Sequence, residues 1–406
     1  MVKRYQLNNG TRIVAEHLTS VRSVSLGIWI LAGSRNEQPH QNGISHLVEH
    51  MLFKGTENRD ARMIAESFDA IGGHVNAFTS KEFTCFYSKT MDQHADYALD
   101  ILTDMLFNSL IEEKELEREK KVVEEEISMT EDAPNDIIHD YLQGISFEGH
   151  PLAQTILGTE ETLSSLTRND LLDYMRQYYS PERIVVSVAG NIPEELIDRI
   201  KELFGSVSKQ SGIHDPMKLV YLTNSKTYER EVSQAHLCLG YPGLQIGDEG
   251  IYSASVIDNV LGGAMSSRLF QKIREEMGLT YSIFSYHSSF RDNGLFTIYG
   301  ATNSDQLEQM KDEILKTTNE MKLNGITEKE LQNTVQQLKG QLVLGLENPN
   351  SRMNRNGRNE LLNQPHLSME ELISKLVSVN HEDMNQLMNQ MFAEQPSEAL
   401  IVPSRV

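Results

Sequence analysis

The sequence predicts an α+β fold made of two tandem homologous domains, each an antiparallel sheet packed with helices. Its 406 residues are enough for two domains of about 200 residues. Segments with the period-2 pattern of strands alternate with segments that have the apolar spacing of amphipathic helices. The second half also repeats the first, because DQHADYALDIL at 92–102 returns as DQLEQMKDEIL at 305–315.

The same patterns give the order of elements in the first half. The strand patterns are TRIVAEH, SVSLGIWILAG, HVNAFTS, EFTCFYSKT and RIVVSVAG. The helical patterns are ISHLVEHMLFKGT, 59–71, HADYALDILTDMLFN, 112–129 and PEELIDRIKELFG. In the first of these helices, Ser45 is predicted as the N-cap and Gly55 as the terminating residue. The polar segment at 209–218 predicts a linker, which divides the chain into domains at 1–208 and 219–406.

Composition excludes several classes of partner. There are 37 basic and 58 acidic residues, a net charge of −21, which argues against binding to nucleic acid or to anionic membranes. No apolar run approaches the roughly 20 residues that span a bilayer. The first residues lack the apolar core of a signal peptide. Two cysteines cannot form a disulfide framework, so we expect a cytoplasmic protein.

One motif carries chemistry: His46-Leu47-Val48-Glu49-His50. On a helix, His46 and His50 lie one turn apart on the same face, the arrangement of two zinc ligands. Glu49 shares that face and is placed to act as a general base. The order H-x-x-E-H is the inverzincin signature. The alternative is a pair of core histidines, but an apolar helix would bury them at a cost without a partner.

A catalytic zinc site needs a third protein ligand, and the acidic helix at 112–129 offers several. At 100° per residue, Glu126 and Glu119 lie on or beside its apolar stripe, whereas Glu124 and Glu125 lie outside it. The residues that define the stripe are Leu116, Val122, Val123 and Ile127. This favours Glu126 as the ligand and Glu119 as a group that orients a histidine or steers the site. The alternative is a solvated charged face.

Four motifs together resemble the pitrilysin/insulinase family of zinc peptidases, in the branch that contains the β subunit of mitochondrial processing peptidase and its bacterial relatives. They are GISHLVEHMLFKGT at 43–56, GGHVNAFTSKEFTCFY at 72–87, EREKKVVEEEI at 117–127 and SSRLFQKIREEMGLTYS at 266–282. The resemblance implies a third ligand 76 residues after the second histidine, which is Glu126. It implies the family's second glutamate at Glu119.

The resemblance also implies substrate contacts that the residues alone do not reveal. An edge strand at Asn76, Ala77 and Phe78 would pair with the substrate backbone. Arg274 and Tyr281 would reach the bound substrate from the second half. Without the resemblance, these two would be a helix-surface arginine and a strand tyrosine.

The resemblance gives the domains distinct roles. The domain at 1–208 would bind one Zn²⁺ and carry out catalysis. The domain at 219–406 would be metal-free and line the substrate chamber, because Thr334 and Gln341 align with Glu119 and Glu126. Each chain would form half of a clamshell, and two chains would form a homodimer.

These expectations add up to a zinc-dependent endopeptidase that hydrolyses unstructured peptides or leader segments, bound in extended form inside a closed chamber. Glu49 would transfer protons, and Glu119 would support the site. A non-catalytic scaffold or peptide-binding subunit of the same fold is the alternative. A dedicated processing enzyme is a second alternative, which the sequence does not separate from general peptide turnover.

Overall fold

The computed structural model describes residues 2–208 and 217–404, so most of the predicted linker at 209–218 lies outside the described residues. The strands, in chain order, are β1 (Val2–Gln6), β2 (Arg12–His17), β3 (Ser23–Ile30), β4 (His74–Thr79), β5 (Thr84–Met91), β6 (Ile184–Gly190), β7 (Ser225–Arg230), β8 (Ala235–Gly243), β9 (Ser282–Ser289), β10 (Gly294–Thr302) and β11 (Ser397–Pro403).

Helices separate most of these strands. They are α1 (Ile44–Leu52), α2 (Ala61–Ala70), α3 (Ala95–Asn108), α4 (Glu113–Glu131), α5 (Pro134–Ser146), α6 (Glu160–Ser165), α7 (Arg168–Tyr178), α8 (Leu196–Gly205), α9 (Ile251–Asp258), α10 (Leu307–Asn324), α11 (Glu328–Gly345), α12 (Pro349–Leu361), α13 (Met369–Val377) and α14 (His381–Met391). Two π-helical segments follow α9, at Asn259–Gly263 and Phe270–Glu276.

The chain forms two compact units, each assembled from three segments of the sequence. Unit 1 comprises Met1–Ser128, Gln154–Pro216 and Leu344–Ser368. Unit 2 comprises Met129–Ala153, Met217–Val343 and Met369–Val406. Each half of the sequence therefore contributes one helix to the unit built mainly by the other half. Helix α5 belongs to unit 2 and helix α12 belongs to unit 1.

Unit 1 is organised around a six-stranded sheet of order β1-β2-β6-β3-β5-β4. All neighbouring strands are antiparallel except β2 and β6, which are parallel. In the part of the chain that the structure describes, β4 pairs with β5 alone, so it is an edge strand. Helices α1, α3 and α4 contribute to the same buried apolar cluster as strands β3 and β6.

Helix α12 packs on the sheet of unit 1, against β2, β3 and β6. Gly357 makes this close approach possible, since an added Cβ would lie 2.2 Å from Nε1 of Trp29 in β3. Polar contacts hold the helix to β2, where the Glu16 carboxylate accepts hydrogen bonds from Arg352 and Asn356. The helix is thus integral to the core of unit 1.

Unit 2 repeats the arrangement with a five-stranded sheet of order β7-β11-β8-β10-β9. Only β7 and β11 are parallel. Helix α5 packs on β8 and β11 through Ile138 and Leu142, both completely buried. Helices α9, α10 and α14 belong to a second buried cluster with the strands.

The predicted fold class of two α+β domains is confirmed, with the refinement that each sheet contains one parallel pair. Both cysteines, Cys85 and Cys238, are free and buried. Within the described part of the chain, no helix combines the length and apolar character needed to cross a bilayer.

Candidate active site

The site is built on α1, the helix that carries the H-x-x-E-H motif. Gly43 occupies its N-cap with a φ of 96°, a left-handed conformation that suits glycine. An added Cβ there would lie 2.6 Å from the Leu157 carbonyl oxygen. Glycine has no side chain to cap the helix, and the buried Glu37 carboxylate takes that role by accepting hydrogen bonds from the Gly43 and Ser45 amides at 2.8 and 2.9 Å. The prediction of Ser45 as N-cap was therefore wrong.

Three ligand atoms converge where α1 faces α4. Nε2 of His46 and Nε2 of His50 lie 3.2 Å apart. Oε2 of Glu126 lies 3.6 Å from the first and 3.7 Å from the second. The structure thus brings the three residues predicted as zinc ligands into one cluster.

These distances fit a tetrahedral zinc site. With metal–ligand bonds of about 2.0–2.2 Å, tetrahedral geometry places neighbouring ligand atoms about 3.3–3.5 Å apart. The observed separations of 3.2, 3.6 and 3.7 Å differ from this by a few tenths of an ångström. Two imidazole nitrogens and one carboxylate oxygen also form a donor set that zinc prefers. The three side chains are partly exposed, so solvent reaches the cluster.

Glu119 connects this cluster to Lys54. Its Oε1 lies 2.9 Å from Nδ1 of His50, and its Oε2 lies 2.7 Å from Nζ of Lys54. An ionised Glu119 accepts the Nδ1–H of His50, which leaves the Nε2 lone pair of His50 directed at the cluster. For His46, Nδ1 is buried and has no hydrogen-bond partner in the described residues.

Electrostatics separate the two histidines. Burial, reinforced by the charge on His50, lowers the pKa of His46 to about 3, so its imidazole is neutral at physiological pH. Burial also acts to lower the pKa of His50, but the Glu119 hydrogen bond and nearby carboxylates outweigh it and raise that pKa. Burial likewise acts to raise the pKa of Glu119, but the contacts with His50 and Lys54 lower it overall.

Glu49 lies on α1 beside His50 and is held by the sheet. The Thr79 hydroxyl, at the end of β4, donates a hydrogen bond to Oε2 of Glu49. Burial raises the pKa of Glu49 despite this hydrogen bond and the charge on His50. A carboxylate with a raised pKa and one fixed oxygen has the properties of a general base.

The structure places Asn76, Ala77 and Phe78 on the edge strand β4. Along this strand, Asn76 is opposite Tyr87 and Phe78 is opposite Cys85, both in β5. Asn76 is exposed, and its Oδ1 accepts a hydrogen bond from the Ala77 amide at 2.9 Å. Phe78 contacts the Trp29 ring edge-on, with centroids 5.6 Å apart. Strand β4 is therefore exposed at Asn76 and packs against the Trp29 ring at Phe78.

Arg274 and Tyr281 pair with each other in unit 2. Nη1 of Arg274 donates to the Tyr281 carbonyl at 2.9 Å. The guanidinium carbon lies 4.4 Å from the centroid of the Tyr281 ring and 4.5 Å from that of Phe270. Tyr281 is 79% exposed. Their predicted contact with substrate stays a prediction.

The buried face of α4 differs at one residue from the apolar stripe predicted from the sequence. Val122 is 46% exposed, so it lies outside the buried face. The buried residues of α4 are Leu116, Glu119, Lys120, Val123 and Ile127. Glu119 therefore lies inside the face, whereas Glu126 lies at its rim with 38% of its side chain exposed. A rim position suits a ligand that must meet both histidines and solvent.

Three site residues escaped the sequence analysis: Glu37, Lys54 and Thr79. Glu37 lies in an irregular loop, and no local pattern identifies it. Lys54 lies four residues after His50, a spacing that places it near the same helix face. Thr79 lies two residues after Ala77, a spacing that puts both on one face of β4.

Comparisons with known proteins identify the family to which this chain is similar. Residues 12–160 match the family described as Insulinase (Peptidase family M16), and residues 165–338 match the family described as Peptidase M16 inactive domain. A Bacillus subtilis protein named uncharacterized zinc protease YmxG is 53% identical over 100% of this chain and 99% of its own length. An uncharacterized zinc protease of Streptomyces coelicolor is 37% identical over 99% of this chain and 90% of its own length.

Solved structures share the fold. The crystal structure of a protease from Helicobacter pylori superposes with a TM-score of 0.93, at 22% identity and 99% coverage of both chains. A peptidase M16 inactive domain from Pseudomonas fluorescens also gives a TM-score of 0.93, at 19% identity, with 100% of this chain and 99% of that chain covered.

Proposed function

This chain belongs to the insulinase family of peptidases (M16), and from that premise we propose that it is a zinc-dependent endopeptidase acting on unstructured peptides or leader segments. The predicted family is thereby confirmed, while its assignment to the processing-peptidase branch stays a prediction. The observation that carries the proposal is the preformed cluster of His46, His50 and Glu126, whose ligand atoms already lie near tetrahedral spacing.

One zinc ion per chain would be held by Nε2 of His46, Nε2 of His50 and Oε2 of Glu126. When bound, it supplies Lewis-acid polarisation of a water molecule and of the scissile carbonyl. Glu119 keeps His50 in the tautomer that presents Nε2 to the cluster.

Glu49 carries the proton transfers in this proposal. The Thr79 hydroxyl donates a hydrogen bond to Oε2 of Glu49. Oε1 of Glu49 is therefore the oxygen that would take a proton from the attacking water. The same carboxyl then passes the proton to the leaving amine. The raised pKa of Glu49 suits both steps, because the group must be a competent base before attack and a competent acid after it.

The substrate backbone would add to the sheet at the free edge of β4, beside Asn76 and Ala77. Such pairing reads backbone groups more than side chains, so we expect broad sequence preference. Phe78 would contact a substrate side chain. Arg274 and Tyr281 would contact the substrate from the second, metal-free domain.

The assembly and location belong to the same proposal. We expect a homodimer, as the resemblance implies, that encloses substrate in a chamber. The two buried free thiols suit a reducing compartment such as the cytoplasm.

The experiment is cleavage of internally quenched, unstructured peptides of unrelated sequence. The purified protein is assayed as prepared, after chelation, and after zinc is restored. We expect activity that disappears on chelation and returns with zinc. Mass spectrometry of the products should show internal cuts, as an endopeptidase requires.

Failure would favour the scaffold interpretation. If the protein binds one zinc but cleaves none of the peptides, general peptide hydrolysis is contradicted. Cleavage of one leader sequence alone, with unrelated peptides untouched, would instead indicate a dedicated processing enzyme.

A further inference from the structure

We propose that Lys54 is a positioning residue for the metal centre, acting through Glu119 on His50. This inference rests on the proposed function only in taking zinc as the ion that the cluster holds. Lys54 follows α1, and its backbone amide donates to the Met51 carbonyl in the last turn of that helix. Its side chain then extends to α4, where Nζ lies 2.7 Å from Oε2 of Glu119.

Glu119 needs both of its partners because it is buried. Only 5% of the residue is exposed, so water does not replace a lost hydrogen bond. Oε1 faces Nδ1 of His50 and Oε2 faces Lys54, so the two contacts hold the carboxylate from opposite oxygens. The arrangement fixes the rotation of the carboxylate as well as its charge.

The orientation of the Glu119 carboxylate determines the orientation of the His50 imidazole. A carboxylate that accepts Nδ1–H holds the imidazole ring and keeps its Nε2 lone pair available. Without Lys54, Glu119 can rotate away from His50 or turn toward other donors. The chain Lys54–Glu119–His50 therefore determines how well Nε2 of His50 is placed to bind a metal ion.

Lys120 provides a matched control on the same helix as Glu119. Its side chain is 9% exposed, against 30% for Lys54, and its Nζ contacts Oε1 of Glu117 at 2.8 Å and the Ser164 carbonyl at 3.3 Å. Substitution of Lys120 removes a positive charge next to Glu119 in the sequence. The contacts of Glu119 with His50 and Lys54 stay intact. A general effect of charge or of helix stability would appear in both variants.

The test is the zinc dissociation constant of the full chain, measured by competition with a chromophoric chelator. We expect Lys54→Met to raise the constant by about tenfold, the lower end of the range for loss of a group supporting a metal ligand. Lys54→Arg, which keeps the ion pair, and Lys120→Met should stay within about threefold of wild type. Thermal unfolding of the metal-free proteins is recorded in parallel.

An unchanged zinc affinity in folded Lys54→Met would overturn the proposal, even if its melting temperature fell, because Lys54 would then only tie α1 to α4. Equal weakening in Lys120→Met would overturn it as well. If Lys54→Met does not fold, Lys54→Gln decides the question by the same criteria. A wild type that binds no zinc would overturn both this inference and the proposed function. Zinc binding without peptide cleavage would contradict the function alone.

Discussion

At the residue scale, the Thr79 hydroxyl determines how much of the Glu49 carboxylate is free for chemistry. It lies at the end of the edge strand, while Glu49 lies on the motif helix. The hydrogen bond between them links the strand expected to hold substrate to the group expected to move the proton. Under the proposed function, this one contact would couple the position of the substrate to the orientation of the base.

Replacing Thr79 by valine tests this coupling. The nearly isosteric Thr79→Val removes the donor and lets the carboxylate rotate, so we expect kcat to fall by about tenfold or more, part of the effect of a general base. The KM and the zinc content should change by less than about twofold, since the metal ligands and the backbone groups of β4 are unchanged. Thr79→Ser, which keeps the hydroxyl, is the control. A kcat equal to wild type in Thr79→Val would show that Glu49 needs no support from β4.

The site residues that sequence reveals are those whose spacing follows a helix. His46 and His50 share a face of α1, and the same periodicity selected Glu119 and Glu126 among the acids of α4. Glu37 could not be found this way, because it caps α1 from an irregular loop whose path depends on tertiary packing. Val122 shows the converse error, since a valine inside a helical pattern lies on the surface.

At the element scale, α12 is the least expected part of unit 1. Its sequence comes from the second half of the chain, yet it packs on β2, β3 and β6. Nothing in its local pattern indicates which sheet it covers, because an amphipathic helix fits any apolar face of suitable shape. The repeat in the sequence predicted the two similar sheets, but it did not predict this exchange of α5 and α12 between the units.

Gly357→Ala should destabilise the protein, although alanine favours helices. An alanine gains up to about 1 kcal/mol in helix propensity, but its Cβ would lie 2.2 Å from Nε1 of Trp29. Overpacking of this kind costs typically about 1–3 kcal/mol, so we expect a lower melting temperature by circular dichroism. Gly340→Ala in α11, where the added Cβ would enter open space among the described residues, should be neutral or stabilising. A melting temperature raised equally by both substitutions would contradict this packing account.

Glu360 makes the attachment of α12 sensitive to pH. Burial acts to raise its pKa, but hydrogen bonds from His366 and Arg4 outweigh it and lower the pKa to about 2. A depressed carboxyl pKa contributes stability that is complete above the ordinary value near 4.5 and is lost as pH falls toward 2.

Glu360→Gln should therefore reduce the free energy of unfolding by about 2 kcal/mol at pH 7. The difference from wild type should shrink steadily between pH 4.5 and about 2, because the wild-type carboxylate is then protonated. Urea unfolding followed by the fluorescence of Trp29, the single tryptophan of the chain, measures this in unit 1. A difference independent of pH would show that shape, not charge, is what Glu360 contributes.

At the scale of the whole molecule, the duplication explains how one chain combines a candidate metal site with a second unit of the same architecture. The H-x-x-E-H motif occurs once, in the first half, while both halves keep the sheet and its covering helices. The fold class followed from the repeat and the strand and helix periods, because these depend on local pattern. The composition of the compact units did not, because it depends on contacts between residues more than 150 positions apart, such as Ser187 with the Met353 carbonyl.

The activity of Glu49→Gln on an internally quenched peptide, with zinc content determined on the same sample, tests most directly whether this site hydrolyses peptides. Glutamine preserves the shape of the side chain but cannot take up a proton. We expect one zinc per chain in both proteins, and a kcat at least about 100-fold lower in the variant, since general acid–base catalysis contributes that much or more. Activity equal to wild type in a zinc-loaded Glu49→Gln would contradict the claim that this site hydrolyses peptides with Glu49 as its base.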